Sequence, residues 1–152
     1  MPVYSLHDSK LTPLLRLHPG PDLYEKEIEA LVWRDLEAFT GEALFPVARQ
    51  PKVPGGGKPD IVALDSSGRV VVVEVKRDVD RTQLAQCLEY AGWARQTNLQ
   101  EIAVLYNAGS SDHVGVETFF DDWPAFTETS APVAVSPMAR LCLVAGSFLG
   151  EC

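Results

Sequence analysis

Cysteine is scarce in this chain. Cys87, Cys142 and Cys152 are the three present, no two of them form a CxxC pair, and the odd count argues against a disulfide framework. They read as small buried or terminal thiols in a reducing compartment, which predicts a cytoplasmic location. Lysine is scarce as well: there are five in 152 residues, and beyond Asn98 the sole Lys or Arg is Arg140, against seven acids. A net charge of −8 speaks against a broadly polyanion-binding surface. No N-terminal stretch has the basic-then-apolar pattern of a signal peptide, and no apolar run approaches membrane length, so no membrane partner is expected. His7, His18 and His113 are scattered, without HxxxH or Cys/His spacing, which argues against zinc. No GxSxG elbow is present, and Asp112-His113 has no nucleophile motif to serve. Gly55-Gly56-Gly57-Lys58 looks like a phosphate loop, but Pro59 replaces the Ser/Thr and blocks a helix start, leaving a flexible lead-in.

What is present is a globular composition, 46% hydrophobic and 9% aromatic, at a length that suits one domain. The first residues, with Pro2, Pro13, Pro19 and Gly20, predict an irregular arm over 1–21 with a short strand or turn near Leu14–Leu17. From Pro21-Asp22 the spacing of Tyr24, Ile28, Leu31, Val32, Leu36 and Phe39 predicts a helix ended by Thr40-Gly41. Leu44–Val47 reads as a strand. The stretch from Ala43 to Pro59 then contains no acid but carries Arg49, Lys52 and Lys58, the most basic loop of the chain. A second helix runs from Asp80 or Thr82 to about Arg95, Glu101–Tyr106 reads as a buried strand, and a short helix is expected around Val116–Phe126. Arg140–Ala145 completes the set as another strand. Trp33, Trp93 and Trp123 read as core or interface anchors. The order predicts an α/β domain over 22–152, a mixed central β-sheet flanked by helices. The early stop after the last strand points to a domain of a longer protein.

The strand runs Ile61–Leu64 and Val70–Val75 enclose Asp65-Ser66-Ser67-Gly68, a hairpin signal. A type I turn closed by a left-handed glycine pairs Leu64 with Val70 and, further on, Asp60 with Glu74. Lys76 is two residues beyond Glu74 and shares its face. Both faces of the second strand are apolar, so these charges stand at the rim of a core. Two converging carboxylates repel unless a cation lies between them, and Mg²⁺ is commonly held by one or two carboxylates with water and phosphate. An ammonium beside them orients a water or stabilises developing charge. Such a set suits phosphodiester hydrolysis. A structural rim pair is the bland alternative. Glu27 at the rim of the first helix's apolar face, and Gln86 with Tyr90 as i,i+4 neighbours on the second helix, extend the set.

Together, Glu27, Pro59-Asp60, Glu74-Val75-Lys76 and Gln86-Cys87-Leu88-Glu89-Tyr90 give residues 22 to about 106 a likeness to the PD-(D/E)XK nuclease superfamily. The last motif resembles the QxxxY helix of its RecB-like branch. "RVVVVEVKR" and "ARLCLVAGSF" are similar to strands of NucS-type endonuclease domains. The resemblance implies a restriction-endonuclease-like core and Mg²⁺- or Mn²⁺-dependent endonuclease activity in DNA repair, restriction or defence. It further implies that Asp60 and Glu74 ligate the metal, with Glu27 as an auxiliary acid and Lys76 acting on the attacking water. Glu25 and Glu29 are weaker rivals for the helix acid, Glu29 pointing furthest from the apolar face. Gln86 and Tyr90 would contact the substrate backbone, with phosphate binding by Lys58, Lys52, Arg49, Arg77 and Arg81. The chain carries no basic arm and no recognisable DNA-reading module. Recognition then falls to a protein partner, a further domain or a second subunit, as in a homodimer. The rival from another class is a catalytically silent domain of this fold that binds nucleic acid or protein.

Overall fold

The hairpin predicted from the Asp65-Ser66-Ser67-Gly68 turn is the centre of the molecule. A computed structural model describes residues 3–7, 10–14, 24–55, 57–76, 82–127 and 131–145. Strands β4 (Ile61–Leu64) and β5 (Val70–Lys76) pair in the register Leu64↔Val70 to Ile61↔Val73. The turn closes through Gly68 N–H to Asp65 C=O at 2.9 Å and Asp65 N–H to Arg69 C=O at 3.1 Å. Gly68 has φ 77°, the left-handed conformation that a glycine adopts without a Cβ clash.

β3 (Phe45–Arg49) adds antiparallel to β4, with a register shift between Pro46 and Ala48, and β6 (Arg140–Ala145) adds parallel to β5. The order β3-β4-β5-β6 makes β5 a central strand, and its run Val70–Val75 is buried on both faces. The pleat divides that run between two cores. Ile61, Ala63, Val71, Val73 and Val75 pack with Ile28, Val32 and Leu36 from helices α1 (Glu25–Arg34) and α2 (Leu36–Thr40). Val62, Leu64, Val70 and Val72 pack with Tyr90, Trp93 and Ala94 of α3 (Gln83–Gln96), with Ile102 and Ala103 of α4 (Leu99–Gly109), and with Phe119 and Trp123 of α5 (Glu117–Thr127). The result is an α/β domain whose mixed sheet has helices on both faces. Among the described residues, no helix is long and apolar enough to cross a membrane.

Three expectations are corrected. Glu101–Tyr106 is not a strand but the middle of α4, because Asn98 caps it: its side chain accepts the Glu101 N–H at 3.0 Å from an extended backbone. Ile102 and Ala103 are buried while Val104 is 51% exposed, the one-sided burial of a helix. The single helix expected up to Thr40 is divided at Asp35, whose side chain accepts the Ala38 N–H and starts α2. Of its predicted apolar face, Ile28, Val32 and Leu36 are buried, whereas Tyr24, Leu31 and Phe39 are exposed. Within 1–21, expected to be irregular, β1 (Val3–His7) and β2 (Lys10–Leu14) pair antiparallel from Val3↔Leu14 to His7↔Lys10. Pro13 is tolerated there because each strand of a two-stranded ribbon has an unpaired edge. Pro21-Asp22 and residues 15–17 lie outside the described residues.

Candidate active site

At the end of the hairpin away from its turn, the two acids lock onto each other's strands. The Asp60 carboxylate accepts the Val75 N–H at 2.8 Å, and the Glu74 carboxylate takes a hydrogen bond from the Asp60 backbone N–H. Glu74 is 2% exposed, in the midst of β5 and paired with Leu143 of β6. Lys76 Nζ lies 3.4 Å from Glu74 Oε1 and 3.2 Å from Glu25 Oε1. Burial pushes the Asp60 carboxyl above its ordinary value, and the backbone bond and Lys76 offset this only in part. Burial, then the charge of Asp60, does the same to Glu74. Burial pulls Lys76 down, but the Glu25 hydrogen bond and the surrounding acids outweigh it and hold the ammonium above its usual value.

A buried carboxylate and a half-buried one, both with proton affinity raised by burial and nearby acids, are a donor set a divalent cation would relieve. No cluster of three or more His, Cys, Asp or Glu suited to a metal occurs among the described residues. Asp60 and Glu74 nevertheless fit the sparse protein shell of Mg²⁺, which commonly takes one or two carboxylates and completes itself with water and phosphate oxygens.

Helix α3 contributes to the same neighbourhood. Tyr90 is 4% exposed, burial and then the Glu74 charge raise its hydroxyl pKa, and that hydroxyl accepts the Lys58 backbone N–H. A Cβ on Gly57 would meet the Tyr90 ring at 2.4 Å, so the glycine lets the basic loop lie directly on the tyrosine. Gln86 is half-buried, and its Oε1 has no hydrogen-bond partner among the described residues. No protein-family profile, curated protein or solved structure matches the chain. The reading of the site therefore stands on its residues.

Not every predicted residue is brought together. Glu27 is exposed and turns back on its own helix, accepting the Tyr24 N–H at 2.7 Å in a capping box. The helix acid that reaches the cluster is Glu25. Glu29 was expected to point furthest from the apolar face, yet it is 3% exposed, because Arg49 Nε at 3.1 Å and Gln50 Nε2 at 2.8 Å meet its two oxygens. Lys58 Nζ donates to Gln50 Oε1 at 3.0 Å, so Arg49 and Lys58 are tied into one chain of contacts around Glu29 and Gln50. Lys52 is exposed. Arg77 and Arg81 lie outside the described residues.

Gln50 was missed altogether. Its φ of 45° is left-handed, a strained setting for a non-glycine residue, and its N–H donates to Asp60 C=O at 2.8 Å. Nothing about a glutamine signals that conformation. The signal for Glu25 and Glu29 was present in the run EKEIE, but the angle around the helix does not tell a cap from a site.

Proposed function

We propose that this chain is a Mg²⁺- or Mn²⁺-dependent nuclease of the PD-(D/E)XK type, hydrolysing phosphodiester bonds of nucleic acid, with DNA as the expected substrate and the reducing cytoplasm as its setting. The observation that carries the reading is the pair Asp60 and Glu74, cross-bonded to each other's strands, with Lys76 beside them. The mixed sheet with helices on both faces agrees with the core that the resemblance implies. A partner, a further domain or a second subunit would supply substrate recognition that this acidic chain does not carry itself.

A bound divalent ion would acidify a water and neutralise phosphate charge. Asp60 and Glu74 would hold it, and their raised proton affinity is the electrostatic tension it would remove. Lys76, between Glu25 and Glu74, is a fixed hydrogen-bond donor, suited to orienting a water or stabilising charge on a phosphoryl oxygen rather than accepting a proton. Tyr90 holds the Lys58 backbone and so fixes the basic loop at the site's edge. Gln86 offers a buried carbonyl oxygen with its protein partner still lacking among the described residues.

The test is cleavage of labelled single-stranded, duplex, mismatched and flap DNA with Mg²⁺ or Mn²⁺. Asp60→Asn should reduce the rate by ~10²–10³-fold or more, the size expected when a group acting on transition-state charge is lost. A variant that cuts at the wild-type rate would sink the reading. Absence of cutting by folded wild type on every substrate would leave a missing partner or domain, or the silent binding domain.

A further inference from the structure

Beside the carboxylates lies a second compartment of opposite sign. A cavity of about 340 Å³ is lined by Lys26, Glu29, Arg49 and Gln50. The acid in it is neutralised: Glu29 is 3% exposed, with its two oxygens hydrogen-bonded to Arg49 Nε and Gln50 Nε2. Arg49 spends only Nε on that anchor, and its side chain is 40% exposed. Its terminal nitrogens make no hydrogen bond among the described residues and form a planar fork of the shape that matches phosphate oxygens. Lys26 is exposed on α1, and its ammonium has no ion pair among the described residues. Lys58 is held at the margin by Gln50 Oε1. Two cations thus line the cavity with one satisfied carboxylate and a third stands at its margin, whereas Glu25, Asp60 and Glu74 surround the single cation Lys76.

The two compartments are joined by backbone. Gln50 N–H donates to Asp60 C=O at 2.8 Å, and Arg49 pairs with Ile61, the residue after Asp60. The left-handed Gln50 is held by Glu29 on one side and Lys58 on the other, so the cavity wall is preset before any ligand arrives. A group bound in this cavity sits beside the strand that presents Asp60.

We infer that the Lys26–Arg49–Gln50 cavity is a phosphate subsite, holding a backbone phosphate of the nucleic-acid strand that neighbours the one presented to Asp60 and Glu74. Arg49 and Lys26 contact the phosphate, and Glu29 and Gln50 are positioning residues that aim Arg49. The inference rests on the nuclease reading for its choice of a phosphodiester ligand, but it can be tested without cleavage.

The experiment is fluorescence anisotropy of a fluorescein-labelled single-stranded DNA titrated with the full chain in EDTA across a series of salt concentrations. Each phosphate contact contributes about 0.7 to the slope of log K against log salt for single strands. Lys26→Ala and Arg49→Ala should each lower the slope by roughly that amount, and the double variant by about twice as much. Arg34→Ala, the same change of charge on the exposed far end of α1, should leave the slope at the wild-type value. Lys26 is an exposed side chain with no protein partner among the described residues, so its variant keeps the test valid even if Arg49→Ala unfolds. Slopes for Lys26→Ala equal to those of Arg34→Ala would overturn the subsite, as would wild type that does not bind the strand. Reduced slopes without Asp60-dependent cleavage would support the subsite and count against the nuclease reading. Cleavage with unchanged slopes would do the reverse.

Discussion

The two ends of the β4–β5 hairpin each bury a carboxylate, and they treat it in opposite ways. At the turn, Asp65 is 3% exposed and meets donors on every side: Ser67 N–H at 3.0 Å, Ser67 Oγ at 2.7 Å, Arg69 N–H at 3.1 Å, Arg69 Nε at 2.7 Å, and Arg140 Nη1 at 3.5 Å. Burial alone would raise its pKa, but the bonds from Ser67 and Arg69 outweigh burial and hold the carboxyl below its usual range. At the open end, burial dominates, and Asp60 and Glu74 are both pushed up. Burial raises proton affinity at both ends, and the donors facing each carboxylate decide whether that rise is overcome. The turn end is a finished structural device, reinforced by the contact of Arg140 with Glu42. The open end is short of positive charge, the condition that the proposed divalent ion would relieve.

The largest expected effect lies at the turn. Asp65→Ala removes several charge-assisted hydrogen bonds and should destabilise the chain by about 2–4 kcal/mol at neutral pH, read by urea unfolding. The folded-state pKa of Asp65 is lowered, so its stabilising contribution is present above the unfolded carboxylate value and is lost as pH falls through the folded one. Wild type and variant should converge in acid. A difference that persists there would show packing, not charge, to be the device.

At the open end the sign reverses. Asp60 is raised in the folded state, so in EDTA the stability it contributes is full below the unfolded carboxylate value and falls as pH rises through the folded one. Asp60→Asn keeps an acceptor for Val75 N–H and removes the charge, so its melting temperature should exceed that of wild type at pH 7, with the gap closing in acid. A melting temperature below that of wild type at pH 7 would erase the contrast between the two ends. The smallest effect is expected from Glu25→Gln. Glu25 in its pair with Lys76 is 45% exposed, and such pairs contribute less than about 1 kcal/mol. A loss of several kcal/mol in thermal or urea unfolding would mean the open end is as much a structural ion-pair network as the turn.

What was legible in the sequence follows from which physical signal each residue carries. The hairpin was readable to the residue because turn chemistry fixes register where both faces are apolar, and the pairing Leu64↔Val70 follows from Gly68. The convergence of Asp60, Glu74 and Lys76 was readable because they interrupt apolar runs. EIAVLY was not, since a short apolar run has no period of its own; the deciding residue was Asn98, just outside it. Glu27 was misassigned because a capping box and a site acid can occupy the same helix angle. Glu29 is buried only because partners 20 and 21 residues away come to it, and no local pattern reports that.

The most direct test of the account is a calorimetric titration of Mn²⁺ into wild type and into Asp60→Asn. The account predicts binding to wild type that is lost or weakened by at least about tenfold in the variant, a difference of ~1.4 kcal/mol or more. Equal affinities in the two proteins would contradict it, because the open end of the hairpin would then be a rim of structural charges and not a metal site.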